Sequence, residues 1–121
     1  MRNDDTACLR EMRSAATQLL ALLQRPEAQE LLVEDRVFRH SVFFEFVVIG
    51  EQAGQLSPEL QARHPQVPWR SMVAFRNRVA HGYFDLSLPI VWEIWSTQIP
   101  ELHAQLGVLL SAEVPQAPDG P

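Results

Sequence analysis

The chain has 121 residues, which is room for one domain and one modest core. Apolar residues make up 46% of it and charged residues 21%, an ordinary globular composition with no apolar run near the roughly 18 residues that a membrane span needs. The net charge of −5 disfavours nonspecific DNA binding, and the single cysteine, Cys8, leaves no internal disulfide and no cysteine-based metal site.

The N-terminus, Met1-Arg2-Asn3-Asp4-Asp5, lacks the apolar stretch of a signal peptide, so a cytoplasmic location is expected. Leu9, Met12, Ala16, Leu19 and Leu23 then fall on one stripe of a first helix, with Asp4, Asp5 and Thr6 as caps and first-turn acids. Cys8 reads as a small apolar residue of that helix, which Pro26 ends. A second helix is expected from about Asp35 to Gln55. Its centre, Val42 to Ile49, is rich in β-branched and aromatic residues and resembles a buried strand, but no other segment offers it a pairing partner. As a helix it is apolar nearly all round, which in so small a domain points to a helix shared with a second copy of the chain.

Ser57 and Pro58 open a short helix that His64-Pro65 stops. Pro68-Trp69 starts a third main helix, ending near His81-Gly82 with glycine as the residue just past it. After a loop from Tyr83 to Leu88, Pro89 opens the last helix, whose stripe is Val91, Trp95, Ile99, Leu102, Leu106 and Leu109 or Leu110. Pro100 inside it removes one ladder bond and should kink it. The expected architecture is all-α: an up-and-down bundle of four main helices, homodimeric through the central ones, over residues 1–112, with a disordered tail over 113–121.

Charge is unevenly placed along this plan. From Leu60 to Phe84 there is no Asp or Glu, but there are Arg63, Arg70, Arg76 and Arg78, with His64 and His81 beside them; the segment carries +4 and the rest −9 (−5 minus +4). Such a patch on an acidic body fits docking of phosphates at one place, and it equally fits a solvated helix face. Within it, Arg76-Asn77-Arg78-Val79-Ala80-His81-Gly82-Tyr83 carries the chemistry. Asn77 and His81, four apart, share a helix face, whereas Arg76 and His81 lie about 140° apart around the axis. Both reach one ligand only along the groove between their faces or with help from a second subunit. His81 sits in the last helical turn, where the helix dipole favours a cation, and histidine as a residue type is able to take and give a proton; arginine offers a planar fork for a phosphodiester. An arginine and a histidine suffice for metal-free RNA cleavage by the neighbouring 2′-hydroxyl. Taken alone, though, an arginine and a histidine near a helix end are more often surface capping.

The spacing Arg-x4-His-x-Tyr, here Arg76, His81 and Tyr83, resembles the signature of the HepT-like branch of the HEPN ribonucleases. So do Ile49-Gly50-Glu51-Gln52-Ala53, Leu56-Ser57-Pro58-Glu59, Val67-Pro68-Trp69, His81-Gly82-Tyr83-Phe84, Val91-Trp92 and Ile99-Pro100-Glu101-Leu102, in that order. The likeness covers roughly Asp35 to Leu110. It implies a helical homodimer with the motifs of both chains at one interfacial cleft, acting as an RNA-cleaving toxin without metal or other cofactor. Arg76 and His81 are then catalytic, and Asn77 positions the substrate or the arginine. The resemblance also implies an MntA-like nucleotidyltransferase antitoxin that transfers AMP to Tyr83, where bulky anionic groups beside Arg76 would fill the phosphate site.

Glu51 either braces Arg76, lines the cleft, or forms a structural salt bridge; Glu45 is a parallel case. Arg70 and Arg78 are auxiliary backbone contacts for RNA or solvated side chains. Trp69, Trp92 and Trp95 are able to stack on bases, but helix-periodic tryptophans are more often core. No histidine pair has metal-ligand spacing. A non-catalytic helical adaptor for a nucleotidyltransferase is the alternative function; no basic recognition helix supports a DNA-binding regulator.

Overall fold

In the computed structural model, which describes residues 3–82 and 85–113, the regular structure is entirely helical, with no strand among those residues. Four long helical stretches make the body: α1 (Asn3–Leu23), α3 (Arg36–Gln55), α5 (Trp69–Gly82) and a last run from Leu88 to Glu113. That run consists of α6 (Leu88–Glu93), a π-helical segment (Ile94–Gln98) and α7 (Ile99–Glu113). Two short helices, α2 (Ala28–Glu34) and α4 (Pro58–Arg63), bridge the long ones.

The expected stripes form the core. Leu9, Met12, Ala16 and Leu19 of α1 meet Val42, Phe43, Phe46 and Ile49 of α3 and Val91, Trp95, Ile99, Leu102, Leu106 and Leu109 of the last run, all buried. Trp95 is fully enclosed; its indole N–H donates to the Leu19 carbonyl at 2.8 Å, and its ring packs on Phe38 and Trp92. Trp69 is likewise buried, its N–H held by the His64 carbonyl at 2.9 Å, so both side chains serve the core rather than a base-stacking face. Burial, and after it the carboxylates of Asp4 and Asp5, push the Cys8 thiol up, which makes it a poor nucleophile.

Side chains cap two helix starts, Ser57 as read and Asp35, expected as the first residue of its helix, as well. Asp35 accepts the Phe38 N–H at 3.0 Å to start α3, and Ser57 accepts the Leu60 N–H at 3.3 Å to start α4. Asp5 does more than furnish a first-turn acid. It is buried, and its carboxylate accepts the Ser57 N–H at 2.9 Å and the Ser57 hydroxyl at 2.6 Å, tying α1 to the start of α4.

Two features are added to the expected plan, α2 and a π turn before Pro100, and two readings are corrected, at Gly82 and Glu113. A helix, α2, fills the stretch after Pro26, anchored by buried Ala28 and Leu32 and closed by the Arg39 guanidinium, which donates to the Leu32 and Val33 carbonyls. Pro100 is accommodated by a change of ladder: the Ile99 N–H reaches back to the Ile94 carbonyl, five residues away, and the wider turn keeps Val91, Trp95 and Ile99 on one face. Gly82 is the last residue of α5 rather than the one past it, and a Cβ there would meet open space. Glu113, assigned to the tail, ends α7 and is held by Arg63 of α4 and by His64, its C-cap, at 2.5 and 3.2 Å. Residues 114–121 lie outside the described residues.

Candidate active site

The basic segment becomes α5, which packs along α3: Met72, Val73 and Arg76 lie against its glycines, and Trp69 and Val79 are buried. At Gly50 the two helices approach closely. A Cβ there would lie 2.1 Å from Arg76 Cβ and 2.8 Å from both Arg76 Cγ and the Met72 carbonyl oxygen. The aliphatic stem of Arg76 therefore lies directly on the α3 backbone, in space that any side chain at position 50 would take.

This seating determines where the guanidinium emerges. One Nη of Arg76 forms an ion pair with Glu51, the next residue of α3, and the other donates to the Asn77 amide oxygen at 2.8 Å. Its Nε is buried without a partner among the described residues, so within them the head is fixed from its outer edge alone. With side chains 28% and 40% exposed, Arg76 and Glu51 remain open to a ligand on that edge. The contact fits two of the three readings of Glu51, a brace for Arg76 and a structural salt bridge.

His81 lies in the last turn of α5, exposed, with no hydrogen bond or ion pair among the described residues. At 100° per residue, Arg70, Asn77 and His81 stay within about 20° of one line, an exposed stripe adjoining Arg76. Arg78 departs from it, facing a groove against α7. Arg63 and His64 are engaged elsewhere: Arg63, and His64 after it, hold the Glu113 carboxyl below the usual carboxylate range. Of the four arginines in the acid-free segment, Arg70 and Arg78 are free of partners among the described residues, and Arg76 is shared with Glu51. Tyr83 and Phe84 lie outside the described residues. Among those residues, no group of three or more His, Cys, Asp or Glu side chains is placed to hold a metal ion, and no helix is long and apolar enough to cross a membrane.

The sequence signalled Gly50 only as a member of a pattern, and Glu51 as a brace for Arg76 among other roles. That the glycine makes the seat and the glutamate the clasp for one arginine depends on the crossing of α3 with α5. The only local hint is the small-residue run Gly50, Ala53 and Gly54 on a helix otherwise built of large side chains.

The family profile described as "Ribonuclease HepT-like" matches residues 12–109. The chain belongs to this family. A relative named "Putative RNase" from Caldanaerobacter subterraneus subsp. tengcongensis is 32% identical over 84 residues, covering 69% of this chain and 75% of the relative. A "Putative RNase" from Methanocaldococcus jannaschii is 22% identical over 108 residues, 89% of this chain and 98% of its own. The "Probable ribonuclease HepT" of Thermococcus cleftensis is 26% identical over 87 residues, 72% of this chain and 79% of its own. No solved structure matches the chain. The HepT-like chain is thus a ribonuclease by class, and its site residues are to be judged against RNA as substrate.

Proposed function

We propose that the chain is the toxin of a toxin–antitoxin pair, a metal-independent endoribonuclease that acts as a homodimer in the cytoplasm. Arg76 stabilises the phosphorane, and His81 moves the protons. The ribose 2′-hydroxyl loses its proton to a neutral imidazole and attacks the adjacent phosphorus. The P–O5′ bond breaks, and the departing 5′-oxygen takes a proton from an imidazolium. The products are a 2′,3′-cyclic phosphate and a 5′-hydroxyl. One His81 from each protomer supplies the base and the acid, which answers the separation of Arg76 and His81 around a single helix.

The observation that carries this reading is the clasp on Arg76. An arginine that merely capped a helix end has no need of a glycine seat, a carboxylate and an amide to fix its head, whereas a transition-state charge benefits from a donor oriented beforehand. A second observation supports the dimer. Val37 and Phe44 of α3 are 77% and 63% exposed, and with Glu51 they recur every seven residues, so an apolar stripe leads along α3 to the clasp. A partner's α3 covering that stripe brings two clasps and two His81 side chains to one seam. Asn77 positions Arg76, Arg70 and Arg78 hold the RNA backbone, and Tyr83 accepts AMP from an MntA-like nucleotidyltransferase that silences the toxin.

The test is incubation of purified protein with RNA in excess EDTA. Cleavage by wild type and its loss in Arg76→Ala and His81→Ala, with folding intact, is the expected result. No cleavage by wild type at any enzyme concentration refutes it and leaves the adaptor. For Tyr83, a mass increment of AMP on another residue after reaction with the cognate transferase refutes the assignment.

A further inference from the structure

Around the other side of α5 from the clasp lies a groove of about 740 Å³, walled by α5, the π-helical segment and the start of α7. Its size falls within the roughly 300–1,000 Å³ typical of small-molecule sites. The floor is apolar and includes Phe46, Phe75 and Ile99, the two phenyl rings edge to face at 5.0 Å. The rim carries Arg78, Gln98, Gln105 and Glu101. None of these four has a side-chain hydrogen bond or ion pair among the described residues, in contrast to Arg39, Arg63 and Arg76, whose guanidinium groups are all engaged.

Two features point to the occupant. Arg78 belongs to the acid-free segment and stands three residues before His81, so the groove mouth is one helical turn from the imidazole, about 5–6 Å between Cβ atoms. A phosphate handled by His81 therefore leaves its flanking nucleotide at the groove. The π turn also supplies part of the groove wall through Ile94 and Gln98, and such turns are frequent at functional sites.

We infer that the groove is a nucleobase subsite, taking the base of the nucleotide that flanks the cleaved phosphate. Arg78 meets that nucleotide's own phosphate, the phenyl-lined floor receives the base, and Gln98, Gln105 and Glu101 read its edge. Glu101 only accepts hydrogen bonds, so a base with an exocyclic amino group, which offers two N–H bonds, is favoured over uracil, which offers only its ring N3–H. The inference rests on the ribonuclease reading and adds specificity to it.

The experiment maps cleavage of an RNA pool, randomised around one cut site, by full-length protein and reads base frequency at each flanking position. Wild type is expected to favour amino-bearing bases at one position by about 10-fold, a preference that Glu101→Gln and Gln98→Ala reduce towards unity. Because both side chains are exposed, the variants fold. Ala74→Trp, which fills the groove from its open side, is expected to raise KM about 10-fold with a smaller change in kcat. Profiles and KM unchanged in all three variants overturn the subsite while leaving the ribonuclease intact. Unchanged profiles with loss of binding to a protein partner overturn it too, and assign the groove to docking. Failure of wild type to cut any RNA overturns both readings.

Discussion

Gly50→Ala is the sharpest perturbation of the α3–α5 crossing. The new methyl would sit 2.1 Å from Arg76 Cβ, some 1.3 Å inside the 3.4 Å at which ordinary contact begins, and it also meets a backbone oxygen at 2.8 Å. Neither atom is the flexible end of a side chain, so the helices themselves must part. Overpacking of this kind costs about 1–3 kcal/mol, and the backbone contacts argue for the upper end. Alanine returns roughly 1 kcal/mol through its better helix propensity, leaving about 2 kcal/mol of net destabilisation. For a domain of this size that is a fall in Tm on the order of 10 °C. The same displacement carries Arg76 about an ångström from its clasp, enough to cost on the order of 100-fold in cleavage rate. Gly54→Ala is the matched control: its nearest neighbour is Val73 Cγ2 at 3.7 Å, so it should be neutral or stabilising. Urea melts at one fixed protein concentration, read by circular dichroism, together with RNA cleavage rates, decide the matter. If Gly50→Ala matches Gly54→Ala in both, the seat has no role.

Asp5→Ala leaves two buried Ser57 donors without an acceptor and is expected to cost about 1–3 kcal/mol in the same melts, with cleavage per folded molecule unchanged. Two glutamates should respond to pH with opposite signs. Burial, and after it Glu11, raise Glu45, so its ionised form opposes folding at neutral pH; Glu45→Gln should stabilise at pH 7, and the gain should vanish below about pH 4. Arg63 lowers Glu113, whose contribution is present above the ordinary carboxylate range and is lost as pH falls through its depressed value; Glu113→Gln should destabilise at pH 7 and converge on wild type in acid. Phe44→Glu puts a charge on the exposed stripe of α3 and should convert a dimer to a monomer by light scattering, with loss of cleavage; a dimer that survives the change refutes the proposed seam.

The helices were legible where periodicity and caps agreed. Asp35 and Ser57 act locally, each accepting an N–H from three positions on, and Pro58 sets the first turn of α4, so a single sequence displays such signals. For α3 the strand-like composition was overruled by an argument about the whole chain, the lack of any pairing partner, and the helix follows. What escaped notice depended on distant neighbours. α2 has only seven residues and two buried positions, too few to show a period, and exists because Leu32 is covered. Asp5 reads as an exposed first-turn acid until Ser57, 52 positions away, is brought onto it. Pro100 announces a disturbance but not its form, since whether a helix bends or widens depends on which face must stay buried. At the candidate site, Arg76, Asn77 and Glu51 were each legible as residues of interest, and a brace from Glu51 or Asn77 to Arg76 was among the readings offered; the seat beneath Arg76 was not, because Gly50 has no side chain with which to advertise a contact.

An acidic protein that handles RNA raises a question that salt dependence answers. Raising ionic strength weakens arginine–phosphate contacts but also screens repulsion from the acidic remainder of the chain. The two effects separate by distance: at 0.15 M salt the Debye length is about 8 Å, so charges beyond it already count for little and further salt acts on the contacts. Each phosphate contact to single-stranded RNA contributes about −0.7 to the slope of log affinity against log salt. Arg70 and Arg78, which are free, with Arg76, which is shared with Glu51, give at most three contacts per protomer and a slope of about −2 for each RNA strand end held. Arg70→Ala should lessen that slope by about 0.7. Arg63→Ala should leave it unchanged, because the Arg63 guanidinium is committed to Glu113 rather than to the ligand. Measured with a non-cleavable 2′-O-methyl RNA, equal slopes for the two variants would show that phosphate is held by the acid-free segment as a diffuse charge. The free arginines would then lose their special standing, and the RNA path along α5 with them.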